Sequence, residues 1–335
     1  MSSWNDEELK KLFLNKTPLI DVRSPGEFLE GKIPFSVNLP IMNDEERILI
    51  GTCYKEHGQA AAIKLGHELV SGKIKEERIE LWRDFIRKNP ETEVFCFRGG
   101  LRSQIACQWT DLGKTPITGG YKRLRRYFLS WLDDAPLPDL IRVGGPTGSR
   151  KSDFIQHVDN IDLEHLANHR GSAFGNLGPQ PTQITFENNL ALEMLKLSGK
   201  KIIIEDESAT LGKIAVPRRL FHHMRQSPML VLEVPIEKRI QNIFESYVKG
   251  RQEEFFLQSL EKIKKSLGGV NFQKIHIEMK DAFSKSEELQ HHEVWIRSLL
   301  VDYYDPIYNR DINRQGDLIL KRGNGEELLA WLRKA

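Results

Sequence analysis

Cysteine is scarce in this chain: Cys53, Cys96 and Cys107 are the only three among 335 residues. No CxxC pair occurs, so they make neither a disulfide framework nor a four-ligand zinc site. A reducing compartment, the cytoplasm, is the expectation. No apolar run approaches the ~20 residues that span a bilayer, and the opening Met1–Glu8 lacks the basic and apolar segments of a signal peptide. Neither secretion nor membrane insertion is therefore expected. Excess charge is missing as well: the formal net charge is +2, so any affinity for nucleic acid must come from local basic patches. With 39% hydrophobic and 29% charged residues, the composition is that of a globular protein, long enough for two domains with separate cores.

One of the three cysteines stands in an unusual place. Cys96-Phe97-Arg98-Gly99-Gly100-Leu101-Arg102-Ser103 follows the apolar Val94-Phe95 and precedes the helix-like Gln104–Trp109. Successive amides in such a strand–loop–helix turn can converge on an anion. The same field lowers a thiol pKa, the more so if Arg98 and Arg102 point inward. A buried, space-filling cysteine is the alternative. Two arginines flanking Gly99-Gly100 favour a thiolate beside an anion cradle, with Ser103 at the helix start.

The first half alternates strand and helix. Residues 4–14 read as an amphipathic helix, Pro18–Arg23 as a strand, Ser24–Phe28 as a turn with Pro25 opening a helix, and Ile33–Pro40 as extended. Residues 44–88 are helix-periodic, and Glu91–Phe95 returns to strand. This pattern predicts an open α/β sheet whose site lies beyond the carboxyl ends of its strands, where Cys96 falls. Ile20-Asp21-Val22-Arg23-Ser24-Pro25-Gly26-Glu27-Phe28, Gly31-Lys32-Ile33-Pro34 and the Cys96–Ser103 loop together resemble a rhodanese domain. The resemblance implies that Cys96 carries sulfur or selenium as an adduct, and that Asp21 and Arg23 are structural anchors. We take residues 1–132 as this domain and 133–139, with Pro136 and Pro138, as a linker.

Just before the linker, Lys122, Arg123, Arg125 and Arg126 place four cations in five positions among aromatics. They are candidate contacts for a nucleic-acid backbone; a solvated helix face is the other reading.

The second domain, 140–335, opens on the strand Leu140–Val143 and Gly144-Gly145-Pro146-Thr147-Gly148-Ser149-Arg150-Lys151-Ser152. Strand, glycine loop, Lys-Ser and helix form the P-loop arrangement, so Gly145, Thr147, Gly148, Ser149, Lys151 and Ser152 are the expected phosphate ligands. The pattern asks for glycine where Arg150 stands. A left-handed residue there would cost about 1–2 kcal/mol, or the side chain could add a phosphate contact. Diphosphate binding is expected, and nucleotide hydrolysis is not.

Downstream, Lys201–Ile204 is a buried-type strand running into Glu205, Asp206 and Glu207. Such a cluster needs a cation, either Mg²⁺ or an arginine partner; the sequence alone assigns no metal. Asn168, His169, Arg170 and Ser172 lie in a glycine-containing polar segment suited to a substrate loop. The remainder reads as helical, with Tyr303, Tyr304 and Tyr308 as core in preference to base-stacking. The predicted class is therefore α/β throughout: a rhodanese-like open sheet, then a P-loop-type domain with a helical C-terminal part.

Taken together, the cysteine loop, the altered P-loop, Ala167–Ser172 and Glu205–Ser208 resemble the tRNA 2-selenouridine synthase family along nearly the whole chain. That resemblance implies a transferase acting on the wobble 2-thiouridine of tRNAs for lysine, glutamate and glutamine. It also implies geranyl diphosphate and selenophosphate as co-substrates, an S-geranylated intermediate, no tightly bound cofactor, and a partner enzyme supplying selenophosphate. Two other readings stay open: a sulfurtransferase coupled to an NTP-dependent module, and a tRNA-binding protein with a degenerate P-loop.

Overall fold

Three short parallel strands, β1 Leu19–Asp21, β2 Ser36–Asn38 and β3 Glu93–Phe95, build the sheet of the first unit in the order β2-β1-β3. Leu19 is in register with both Ser36 and Glu93, so the apolar β1 is central. All three of its residues are buried. The computed structural model describes residues 4–334; Met1–Ser3, part of the segment read as lacking a leader, and Ala335 lie outside the described residues.

The chain divides into two compact units, Met1–Pro136 with Pro181–Lys196, and Leu137–Gln180 with Leu197–Ala335. The segment 181–196, placed with the second domain on sequence, thus packs as the helix Gln183–Lys196 in the first unit. Its anchor is Arg125, which donates to Asn188 Oδ1 at 2.7 Å and pairs with Glu187, while Asn188 donates to the Lys32 carbonyl at 2.7 Å. Local sequence signals cannot report such a pairing.

Charge is also buried under β1. Arg23 and Asp21, 2% and 0% exposed, form a 2.7 Å ion pair. Arg23 also donates to the Gly31 carbonyl at 2.8 Å, and its guanidinium lies 3.8 Å from the Tyr121 ring centroid. One residue thereby joins β1, the turn at Gly31 and the helix Gly120–Asp133.

The second unit holds a five-stranded parallel sheet, ordered β10-β9-β4-β6-β5, from β4 Asp139–Gly144, β5 Asn160–Ile161, β6 Lys201–Glu205, β9 Met229–Leu232 and β10 Ile319–Gly323. β7 Thr210–Leu211 and β8 Ile214–Ala215 pair as a small hairpin. β4 lies at the centre and β6 beside it, with Val143 opposite Glu205, so the P-loop and the acidic cluster leave the sheet at the same edge. A helical body follows, packed around Phe256, Trp295 and Leu260. Two of its turns widen to π geometry, Phe244–Val248 and Leu300–Tyr304. Among the described residues, no helix is long and apolar enough to cross a membrane.

Arg23→Met leaves the Asp21 carboxylate buried without its cation. The expected loss is roughly 3–5 kcal/mol of unfolding free energy, read by urea denaturation, with partial recovery when Asp21→Asn is added. A loss below about 1 kcal/mol would show that the pair does not carry the sheet.

Candidate active site

In the first unit the cysteine loop leaves β3 and enters the helix Leu101–Trp109. Cys96 is 3% exposed. Ser103 Oγ lies 3.2 Å from its sulfur and 3.0 Å from the Gly100 carbonyl, so the hydroxyl has two acceptors to choose between. The loop is pinned by backbone: Tyr121 N donates to Cys96 O at 2.8 Å, and Lys122 N to Phe97 O at 3.1 Å. This needs glycine on both sides. Gly99 has φ +65°, and a Cβ there would meet the Ile117 carbonyl at 2.4 Å; a Cβ on Gly120 would meet the Cys96 carbonyl at 2.1 Å. With the Cys96 and Phe97 carbonyls occupied, the amides offered to an anion are those of Leu101 and Arg102 at the helix start, since Ser103 N donates to the Gly100 carbonyl at 3.2 Å.

The two arginines do not both face the thiol. Arg102 is committed to Glu27 at 2.6 Å, and Arg98 is exposed. Burial raises the Glu27 pKa, but Arg102 outweighs it and holds the carboxyl below its ordinary value. Glu27 also caps Ser24 N at 3.1 Å, so it ties the Pro25–Glu30 helix to the helix of the cysteine loop. The cradle is therefore built chiefly from amides.

The basic stretch is divided in the same way. Arg123 pairs with Asp6, and Arg125 with Glu187. Lys122 and Arg126, four apart and on one face of the helix, are exposed.

In the second unit the P-loop follows β4. Its carbonyls are taken: Arg239 Nε donates to Thr147 O at 2.8 Å, and Asn242 Nδ2 to Gly148 O at 2.9 Å. Arg239 is itself held by Asp305 at 2.5 Å. Gly148 has φ +85°, where a Cβ would meet the Arg239 carbonyl at 2.9 Å. Arg150 does adopt the left-handed conformation, φ 57° and ψ 47°, so the expected cost of about 1–2 kcal/mol is incurred. Its guanidinium pairs with Glu245 at 2.5 Å and Asp153 at 3.6 Å, which gives the side chain protein partners.

Lys151 Nζ donates to the Gly145 carbonyl at 3.3 Å. Ser152 Oγ lies 2.7 Å from Glu205 and 3.1 Å from Glu164. Burial, together with the neighbouring acids Glu164, Glu207 and Asp162, raises the Glu205 carboxyl well above its ordinary range. Burial likewise lifts Glu207 to about 7, with Lys151 opposing. Asp206 belongs to another network, paired with buried Arg142 at 2.7 Å and with Arg225 at 3.2 Å. Of the two cations proposed for the cluster, Asp206 has arginines. Among the described residues, no three or more His, Cys, Asp and Glu side chains gather as a metal site.

These groups border a cavity of about 410 Å³. Arg170 and Ser172 reach it. Asn168 and His169 are not in its wall: Asn168 closes its own loop onto the Pro179 carbonyl at 3.0 Å, and His169 bridges to Asn176. Sequence reasoning missed Glu164, Asn242 and Tyr247 in this wall, and treated Tyr304 and Tyr308 as core. Ser246 and Tyr247 come from one π turn and Tyr304 from the other, a geometry frequent at functional sites. Four buried polar atoms of the wall, Ser149 Oγ, Glu205 Oε2, Asn242 Oδ1 and Tyr308 Oη, have no hydrogen-bond partner among the described residues.

A cysteine loop at the end of a parallel rhodanese-like sheet, and a P-loop beside a strand ending in acid, define a two-domain enzyme of the P-loop class. Residues 138–335 match the family described as tRNA 2-selenouridine synthase AAA domain. Proteins named tRNA 2-selenouridine synthase from Nitrosomonas europaea, Marinobacter nauticus and a Sulfurovum species are 40%, 42% and 42% identical. Those alignments cover 97%, 98% and 98% of this chain, and 97% of each relative. A crystal structure of the N-terminal domain of a protein described as ATP/GTP binding, from Clostridium difficile 630, is 34% identical. It covers 34% of this chain and 90% of its own, with a TM-score of 0.31, too low to bear on the fold. The chain belongs to the tRNA 2-selenouridine synthase family, and with it to the transferases.

Glu207 sets a pH dependence. Its folded pKa, about 7, lies above the ordinary 4.5, so its contribution to stability is complete below about 4.5 and is lost as pH rises through 7. Because the carboxylate is only half-buried, the loss expected between pH 5 and pH 8 is of order 1–2 kcal/mol. Urea unfolding across that range should show a shallower decline for Glu207→Gln than for the parent; parallel curves would remove Glu207 as the cause.

Proposed function

We propose that the protein, in the cytoplasm, replaces sulfur by selenium at C2 of the wobble 2-thiouridine in tRNAs for lysine, glutamate and glutamine, through an S-geranyl intermediate. In the first step the thiocarbonyl sulfur attacks C1 of geranyl diphosphate. The S–C bond forms, the C–O bond breaks, diphosphate departs and N3 gives up its proton. In the second step the selenium of selenophosphate adds at C2 and geranyl thiolate leaves. Water then cleaves the Se–P bond to give phosphate, while N3 and the thiolate are protonated. Alkylation is useful because it turns the sulfur into a better leaving group.

The observation that carries this reading is the P-loop cavity, lined by Lys151, four unpartnered polar atoms and the rings of Tyr247 and Tyr304. A diphosphate with an apolar chain suits those surfaces. In this reading Lys151, Ser152 and the loop amides of Gly145, Thr147 and Gly148 hold the diphosphate. Ser152 and Glu205, whose Oε2 lacks a partner, fit a Mg²⁺ ion, which when bound would neutralise charge on the leaving group.

The cysteine loop serves the second step. Selenium has the same oxidation level in selenophosphate and in the product selenocarbonyl, so direct delivery is redox-neutral, whereas a selenenylsulfide on Cys96 would require an oxidant. Cys96 is accordingly read as the group that contacts the selenium donor, with the amides near Gly99–Ser103 taking its phosphate. An enzyme that supplies selenophosphate is the partner this chemistry calls for. The exposed pair Lys122 and Arg126 are the cations left to meet tRNA phosphates.

Nucleoside mass spectrometry on 2-thiouridine tRNA, with geranyl diphosphate and then selenophosphate, tests the steps separately. Lys151→Ala should lower geranylation at least 100-fold, the scale of one lost charge contact at a transition state. Cys96→Ala should leave geranylation intact and abolish 2-selenouridine. Normal geranylation by Lys151→Ala would sink the diphosphate assignment, and ATP turnover in place of geranylation would move the reading to an NTP-dependent module.

Charge reversal at Lys122 and Arg126 should weaken tRNA binding and reduce the slope of log K against log salt by about 2, one for each phosphate contact. An unchanged slope would exclude that face.

A further inference from the structure

We propose that the first unit contains a prenyl-chain site, and that it holds the geranyl group borne by the nucleobase between the two steps; this rests on the S-geranyl reading above. The helix Asp44–Leu69 is broken at Gly58, whose φ of +81° and ψ of −178° are non-helical. Its two arms and the helix Leu101–Trp109 enclose an apolar cavity of about 440 Å³. Ile50 and Tyr54 come from one arm, Ala62 and Ile63 from the other, and Ile105 and Trp109 from the helix into which the cysteine loop runs. Tyr54 is 57% exposed, and its neighbours Ile48 and Leu49 are 58% and 53% exposed. A chain seated here would remove apolar surface from water on both sides.

Part of the lining has the opposite character. Arg102, paired with Glu27, and Arg47, whose charge also acts on Glu27, line the same cavity, so two cations accompany one carboxylate there. An apolar cavity with cations in its lining matches an amphiphile: a prenyl chain attached through sulfur to a polyanionic nucleotide. The wall also has a direct link to the chemistry. Ile41, Ile105 and Trp109 belong to the packed cluster that includes Cys96, and Leu101 and Arg102 are the first residues after the loop. Holding the departing chain here brings the C2–S bond towards the place where selenium is delivered. It also makes alkylation a condition for selenium transfer, because unalkylated 2-thiouridine has nothing to anchor.

The test uses the full-length protein with anticodon stem-loop RNAs carrying S-geranyl-, S-dimethylallyl- or S-methyl-2-thiouridine, given selenophosphate in single turnover. Each methylene buried is worth about fourfold, so the parent should favour geranyl over dimethylallyl by at least tenfold in kcat/KM. Ile63→Asp should collapse that preference at least tenfold. In case this variant misfolds, a diazirine-bearing S-prenyl RNA should crosslink the unmodified protein within residues 41–70 or 101–109. Equal use of all three RNAs, or crosslinks confined to the P-loop cavity, would overturn the site. If the parent converts none of the three, the S-geranyl reading itself fails, a different result from conversion without chain preference.

Discussion

Both loops of this enzyme depend on one constraint: a loop that binds an anion through its amides must first dispose of its carbonyls. Buried carbonyls without donors are costly, and carbonyls left facing the ligand would repel it. The two units meet the constraint differently. The cysteine loop gives its Cys96 and Phe97 carbonyls to the amides of Tyr121 and Lys122. The P-loop gives those of Thr147 and Gly148 to the side chains of Arg239 and Asn242. Backbone donors demand close approach and hence Gly99 and Gly120, whereas side-chain donors reach further and need a second anchor, which Asp305 supplies to Arg239.

Electrostatics in the P-loop cavity follow from the same economy of donors. Glu205 and Glu164 share one hydroxyl, Ser152 Oγ, and Lys151 is the nearby cation that opposes the raised pKa of Glu164, Glu205 and Glu207. Burial is the main cause of all three upward shifts, and the like charge of neighbouring acids adds to it, with Lys151 opposing throughout and Arg170 opposing at Glu164. An incoming diphosphate is tolerated there only as far as protons, Lys151 or a hard cation compensate it. Arg150, drawn off to Glu245, leaves the Lys151 charge as the principal one at the loop.

How much of this could be read from sequence depends on range. Strand, glycine loop and helix start are contiguous, so both loops and the strands that carry them were legible. The left-handed backbone at Arg150 was foreseen as a condition because the P-loop pattern requires glycine there. Pairings across the chain left no local trace. The capture of Asp206 by Arg142 spans 64 residues, and that of Glu187 by Arg125 spans 62. For the same reason four consecutive-looking cations reduce to two exposed ones, and helix Gln183–Lys196 joins the first unit. His169 and Asn168 looked like ligands because they are polar and sit near glycine, but a loop that must close on itself uses such residues for its own turns. Tyr304 and Tyr308 were read as core in preference to base-stacking, yet both also line the P-loop cavity, since a side chain at the edge of a core can do both.

In the S-geranyl reading proposed above, the two cavities differ in the way the two steps would require. On that reading the prenyl donor presents a polyanionic head that must be bound strongly and then released, which would call for a lysine, amides and titratable acids, groups that line the P-loop cavity. The alkylated base has lost that head. Its distinguishing feature is ten carbons of hydrocarbon, and polar groups cannot recognise hydrocarbon except by excluding it. Selecting an alkylated base would therefore call for an apolar surface near the cysteine loop. The break at Gly58 creates one by turning a helical face, which would otherwise pack on itself or on nothing, into two walls. On the proposed reading a sheet with a cysteine loop alone would offer an anion site, and the bent helix beside it would offer a way to tell one nucleobase from another.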